Sequence, residues 1–278
     1  MSDALHASPL GKNSGYKSEY DPTTLYPIER REKREELGIS RDTLPFFGRD
    51  LWYAYELSWL NASGKPMVRV ARFEIPCDSP CVIESKSFKL YLNSFNETRF
   101  DSEHDVEKAL ICDLSNTAQA QVSVMLMTIE AFEDRGVDST PGVNIDDLDI
   151  AIDCYQYNPD LLAGSVPNDG EMINETLNTH LLKSNCPVTD QPDWGTLVIS
   201  YRGQAIDREA LLKYICSFRN HQEFHEQCAE RVFVDLQKHY KLDVLTVYAQ
   251  YLRRGGLDIN PWRSTLDVNP EALRFVRQ

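Results

Sequence analysis

No apolar run in this chain approaches the roughly 20 residues that a membrane-spanning helix needs. Its first residues, Met1 to Tyr16, lack the apolar stretch of a secretion signal, so a cytoplasmic location without membrane attachment is expected. Positive charge is scarce: 29 Lys and Arg stand against 43 Asp and Glu, a net charge of −14 with a pI near 4.9. Binding a polyanion over a broad face needs clustered basic side chains, so no direct nucleic-acid partner is expected. Any anionic ligand must meet a local basic pocket. There is no G-x-G-x-x-G and no Walker motif, which excludes a dinucleotide held by a Rossmann fingerprint. Seven cysteines are an odd number without framework spacing, as in a reducing compartment with free thiols.

What is there is a chain of 278 residues, 42% of them apolar, enough to bury a core in two modest domains. Residues 1–44 read as an N-terminal arm, with the mixed-charge run Glu29–Glu36 as a solvated turn or short helix. Strands are expected around Trp52–Trp59 and Met67–Ile75, joined by the turn residues Asn61–Pro66. A helix should follow Ile83, a second should span Val106–Ala118, and 121–129 and 143–155 read as strands. Gly195–Tyr201 and Val244–Leu252 read as strands flanking a helical pattern over Asp207–Tyr240, with Asp207 as N-cap. The halves 45–157 and 158–278 therefore share one order: strand pair, helix pair, strand pair. This predicts a tandem α+β duplication with antiparallel sheets.

Three constellations carry chemistry. In Lys183-Ser184-Asn185-Cys186-Pro187, followed by Gln191-Pro192-Asp193-Trp194-Gly195, a thiol and a carboxyl flank a proline-marked segment expected to be an irregular loop. Sulfur is the best side-chain nucleophile at neutral pH, and a nearby carboxylic acid can protonate a nitrogen. A lone cysteine is more often a small buried apolar residue. In His221-Gln222-Glu223-Phe224-His225-Glu226, within the helical pattern, His221 and His225 sit four apart, which would place them on one face. Gln222 stands where a zinc hydrolase needs its general-base Glu, so no metal is expected. Phe224, His225 and Glu226 suit a planar heterocycle, the carboxylate accepting two N–H donors. Finally, Lys86, Lys89 and Arg253-Arg254-Gly255-Gly256 are basic islands able to receive phosphates. Cys77 and Cys81 read as structural thiols.

Taken together, Glu84-Ser85-Lys86-Ser87-Phe88-Lys89-Leu90-Tyr91, Ser184-Asn185-Cys186, Gln191–Gly195, Phe224-His225-Glu226 and Arg253–Trp262 resemble the 7-cyano-7-deazaguanine reductase family, the nitrile reductases of queuosine biosynthesis, in its long bimodular form. The resemblance implies a tunnelling fold in each half, an antiparallel sheet with two helices packed on one face, and a homodimer. It implies reduction of a nitrile to a primary amine with two NADPH and no metal. Cys186 would attack the nitrile carbon to give a thioimide, and Asp193 would protonate the nitrogen. Ile83, Glu84, Ser85, Phe224, His225 and Glu226 would hold the deazaguanine. Ser85, Lys86, Arg254 and Gly255 would contact NADPH.

Other readings of the same residues are a metal-dependent cyclohydrolase of the same fold, a thiol hydrolase pairing Cys186 with His225, and a non-catalytic purine- or pterin-binding module.

Overall fold

Alternation of apolar and polar residues builds the strands that the sequence predicts, and helix-period spacing builds the helices that cover them. The computed structural model describes residues 15–40, 43–163, 172–269 and 271–278. It divides into two units. One holds the described residues up to Arg34, with Asp50–Gly136 and Arg253–Ile259. The other holds those of Glu35–Arg49, Val137–Leu252 and Asn260–Gln278. Among the described residues, no helix is long and apolar enough to cross a membrane.

In the first unit, β1 (Pro27–Glu29) leads into α1 (Arg31–Glu36) and then β2 (Phe47–Leu60) and β3 (Pro66–Pro76). The turn between β2 and β3 is shaped by Asn61, whose side-chain oxygen accepts from the backbone N–H groups of Ser63 and Lys65 at 3.0 and 2.9 Å. Then come β4 (Cys81–Ile83), α2 (Ser85–Asn93), α3 (Glu103–Ala118) and β5 (Ser123–Met127), which lies antiparallel to β3. In α3, Val106, Leu110 and Leu114 recur every four residues and are fully buried. They share one core with Trp52, Trp59 and Phe73 of the strands and Phe88 and Tyr91 of α2. Both helices thus cover one face of the sheet. The 29–36 segment does form a short helix, but it is not simply solvated. Arg34 is buried and donates to the Cys77 carbonyl, and Arg30 is buried against Asp50. Cys77 and Cys81 are free and buried.

In the second unit, α4 (Ile129–Glu133) has already closed the first, and β6 (Val143–Asn144) opens the new sheet. The expected strand over 143–155 ends after two residues. Only Ile145 in that segment is buried, and Asp146 turns inward to accept from the Thr179 hydroxyl and the His180 backbone. Its alternate apolar residues Leu148, Ile150 and Ile152 are only half-buried, and Asp147, Asp149 and Asp153 beside them are exposed. The sheet is carried instead by β7 (Met172–Asn185), which the sequence reading missed, β8 (Pro192–Gln204), β9 (Leu242–Tyr251) and the end of β10 (Leu257–Ser264). Between β8 and β9 lie α5 (Arg208–Ser217) and α6 (His225–His239). Asp207 caps α5, accepting from Glu209 and Ala210 N–H. The long helical pattern is therefore two helices. The chain leaves helical geometry after Asn220, and His221 is extended.

One charge locks this second core. Arg263 of β10 is fully buried, donates to Glu230 of α6 from Nε and Nη2 at 3.1 and 2.8 Å, and reaches the Arg49 carbonyl at 3.3 Å. Removing one partner strands a buried charge, a loss of roughly 3–5 kcal/mol. Glu230→Ala is therefore expected to lower unfolding free energy by about that amount in urea titrations. A loss below about 1 kcal/mol would match a surface pair instead.

Candidate active site

The thiol sits at the end of a hairpin rather than in an extended loop. β7 runs to Asn185 and β8 starts at Pro192, so only the turn 186–191 is irregular. Proline is tolerated as the first residue of a strand, which is why Pro192 does not break it. Cys186 N–H donates to the Gln191 carbonyl at 2.9 Å, and Asp190 N–H to the Cys186 carbonyl at 3.1 Å. Asp190 adopts a left-handed backbone, φ 56°, and its carboxylate accepts from the Asn185 and Gln222 side chains. Asn185 N–H also donates to the His221 carbonyl at 2.8 Å, tying the hairpin end to the segment that precedes α6.

Register decides what the thiol faces. Thr179 pairs with Leu197, but Leu182 pairs with Gly195, so β7 carries one extra residue between them. Such a bulge switches the side-chain alternation of everything beyond it. Beyond it, Ser184 stands opposite Asp193, and Gly195 stands opposite Tyr251 of β9. Opposed residues share a face, and so do residues two apart. Ser184, Asp193, Gly195 and Tyr251 therefore line one face, and Cys186 continues that row. It is the face on which α6 lies, because the His225 ring stacks on Tyr251 with centroids 3.8 Å apart and planes 3° apart. His225 Nε2 lies 3.2 Å from Asp193 Oδ2, with both side chains buried.

Phe224, His225 and Glu226 arrive together because α6 begins there. Phe224 is the N-cap, its backbone N–H accepted by the Gln227 side chain at 3.2 Å, and His225 and Glu226 form the first turn. A carboxylate in that position is favoured by the helix dipole. Phe224 is half-buried, while His225 and Glu226 are buried. His221, expected on the same helix face as His225, is not. It precedes the helix and pairs with Glu223 at 2.9 Å. Glu223 is gripped by Arg231, which donates from Nε at 2.9 Å and again from Nη2. Burial alone would raise the Glu223 pKa, but hydrogen bonds from Arg231 and His221 and the Arg231 charge hold it down to about 2. The sequence reading did not single out Arg231, Asp190 or Tyr251. Their types and spacings mark a helix face, a turn and a strand, and only the fold gives them a common neighbour.

The first unit gathers the remaining predicted residues. Ile83 ends β4, and Glu84 caps α2, its two carboxylate oxygens each 2.7 Å from the backbone nitrogens of Lys86 and Ser87. Burial raises the Glu84 pKa, opposed by those two bonds and by the charges of Lys86 and Arg254. Ser85 and Lys86, both half-buried, open the helix. Arg254 and Leu257 exchange backbone hydrogen bonds across Gly255 and Gly256. Those glycines have φ 61° and 79°, which suits a two-residue hairpin turn closed to most side chains. A Cβ at Gly255 would fall 2.9 Å from the Lys89 stem, so the glycine lets the lysine lie across the turn. Lys89, Asn93, Asn96 and the two glycines line a pocket there, with Glu56 3.7 Å from the Lys89 ammonium. The basic turn and the glycine backbone together can receive phosphate oxygens.

A buried thiol that continues the strand row of a carboxyl paired with an imidazole is equipment a thiol-dependent enzyme can use. Residues 16–126 match the family model described as nitrile reductase, 7-cyano-7-deazaguanine-reductase N-term, and residues 192–269 match that of QueF-like protein. An NADPH-dependent 7-cyano-7-deazaguanine reductase of Dechloromonas aromatica (strain RCB) is 54% identical over 279 residues, covering 100% of this chain and 98% of that protein. The chain belongs to the NADPH-dependent 7-cyano-7-deazaguanine reductase family. Among solved structures, the apo archaeosine synthase QueF-Like aligns with a TM-score of 0.31 at 15% identity, over 37% of this chain and 100% of that one.

The Glu223 pair makes a pH prediction. Its folded pKa lies below its unfolded value, so the stability it contributes is full above the usual 4.5 and fades as pH falls toward about 2. The depression corresponds to on the order of 3 kcal/mol. In urea titrations, Arg231→Met should be less stable than the parent by about that much near neutrality, with the gap narrowing below pH 4. A gap independent of pH would place the cost elsewhere than in Glu223.

Proposed function

We propose that this chain reduces the nitrile of 7-cyano-7-deazaguanine to a primary amine with two NADPH, through a thioimide on Cys186. The observation that carries the reading is one sheet face on which the register sets Cys186 beyond Ser184, opposite Asp193, with Asp193 Oδ2 3.2 Å from His225 Nε2. The named activity of the relative from Dechloromonas aromatica supports it over the whole length of the chain. The Cys186 sulfur bonds to the nitrile carbon, and the nitrogen takes up a proton from Asp193, leaving a C=N–H thioimide. Two electrons and two protons, one hydrogen going to carbon and one to nitrogen, reduce the thioimide to a tetrahedral thiohemiaminal. Its C–S bond breaks, returning the sulfur to Cys186 and leaving an imine. A second two-electron reduction and proton uptake give the amine. Dividing the reaction this way replaces one hard hydride acceptor by two easier ones.

Glu226 and His225 hold the heterocycle edge in this reading, with Phe224 against its face. The roles of Ile83, Glu84 and Ser85 toward the heterocycle belong to the same proposal. NADPH supplies hydride when bound. Ser85, Lys86, Arg254 and the Gly255 backbone are the groups proposed to hold it, and half-buried cations around a glycine turn fit its phosphates. Lys86 and Arg254 would distinguish a 2′-phosphate. A cytoplasmic homodimer that acts on the free base, without nucleic acid, completes the proposal. So does the division of labour between the half that carries Glu84–Tyr91 and the half that carries Cys186.

Mixing the protein with 7-cyano-7-deazaguanine should add the mass of the nitrile in intact-protein mass spectrometry, and adding NADPH should release the amine. Cys186→Ala should show neither adduct nor turnover. Asp193→Asn should slow turnover by about 100-fold or more. An adduct that survives in Cys186→Ala would move the nucleophile, and full turnover in Asp193→Asn would remove the acid.

A further inference from the structure

His225 has a partner from the far strand that the chemistry above does not use. Tyr251 ends β9, is fully buried, and lies flat against the imidazole at 3.8 Å with 3° between the planes. Aromatic pairs prefer offset or edge-on contacts, so a parallel stack this close restricts the ring to one plane. Nε2 of the ring so held lies 3.2 Å from Asp193 Oδ2. The space for the Tyr251 ring is made by its cross-strand neighbour Gly195, two residues beyond the acid. A Cβ there would stand 3.3 Å from Tyr251 Cδ1 and 3.2 Å from the Gln250 carbonyl. Strand pairing holds the backbone close, with Leu252 N–H on the Trp194 carbonyl at 2.9 Å. The Tyr251 hydroxyl end is turned toward Ser184 of β7 and Cys228, one turn along α6 from His225. The imidazole thus meets Asp193 from β8 and Tyr251 from β9.

We propose that Tyr251, seated in the gap left by Gly195, is a positioning residue that fixes the plane of the His225 imidazole beside the Asp193 carboxyl. This rests on the proposed nitrile reduction for its consequence but not for its geometry. A ring free to turn about its Cβ–Cγ bond would present its nitrogen to Asp193 only part of the time. Proton delivery from the pair would slow in proportion, while the thiol would be untouched. The aromatic face does this work, so phenylalanine should substitute and leucine should not.

The test compares Tyr251→Leu, Tyr251→Phe and Gly195→Ala with the parent protein. In protein carrying 15N-labelled histidine, the His225 ring, assigned by its loss in His225→Asn, should show one tautomer in the parent and in Tyr251→Phe. In Tyr251→Leu its resonances should average between tautomers. Turnover with 7-cyano-7-deazaguanine and NADPH should fall about tenfold or more in Tyr251→Leu and be largely rescued in Tyr251→Phe. Tyr251→Leu with parental turnover and an unchanged imidazole signal overturns the proposal. So does Tyr251→Phe that is as impaired as Tyr251→Leu. Should Tyr251→Leu not fold, Gly195→Ala decides, because its methyl must push the ring by a few tenths of an ångström. A shifted imidazole signal with slower turnover supports the proposal, and parental values of both overturn it. The imidazole signal is read without substrate. A parent protein that forms no nitrile adduct would therefore sink the proposed reaction and leave the stack to be judged separately.

Discussion

One extra residue in β7, between Thr179 and Leu182, sets the face on which the rest of the site is assembled. Strand side chains alternate with a period of two, so a single insertion reverses every later assignment. Before the bulge, Leu177 and Thr179 share a face with Ile199 and Leu197. After it, Leu182 and Ser184 take their place opposite Gly195 and Asp193. Without it, Lys183 and Asn185 would point at the helices, and Cys186 would lie on the side away from His225. The side chains that remain on that other side show what it is built for. Thr176 meets Ser200, and His180 meets Thr196, all through polar contacts. The bulge thus separates an apolar, helix-covered face that can hold a reactive group from a polar one.

The α6 N-terminus depends on the same arrangement. Arg231 and His221 neutralise Glu223 just before the helix begins, and Arg263 anchors its middle through Glu230. These buried charges are costly to desolvate, and Glu223 and Arg263 each meet more than one partner. Their combined effect is to fix where the helix starts, and so where Phe224, His225 and Glu226 stand relative to the hairpin end. The hairpin is tied to the same place from its own side by Asn185 and Asp190. Two independent elements are held at one spot by backbone and charge, as preorganised proton delivery requires.

The first unit uses lighter means. Its turn at Gly255 and Gly256 needs no buried ion pair. It needs left-handed backbone and the absence of side chains, so that Lys89 can lie over it. Glu84, buried as the cap of α2, spends two of its acceptor positions on its own helix. The carboxylate is thereby fixed in direction, with its remaining lone pairs aimed by the helix rather than by chance.

Much of this was legible in the sequence. Periodicity located the helix of Val106–Ala118, the strands around Trp52–Trp59, Met67–Ile75, Gly195–Tyr201 and Val244–Leu252, and the Asp207 cap, because burial of one face imposes those spacings. Local motifs singled out Cys186, Asp193, the Phe224–Glu226 segment and the basic turn as candidates, because their residue types and order are specific when taken together. Periodicity failed where apolar and acidic residues alternate without burial, as in 143–155, and where two helices share one phase across a break, as around His221. It also missed β7, whose sequence mixes polar and apolar residues because one of its faces is polar. The thiol and acid seven positions apart read as two marks on a loop. Only the tertiary structure decided that they lie at the end of one hairpin, that a bulge sets the face Asp193 shares with Ser184, and that Tyr251 lies flat against the histidine beside Asp193. Those are long-range facts: they depend on which strand stands beside which and in what register, and no local spacing encodes a neighbour dozens of residues away.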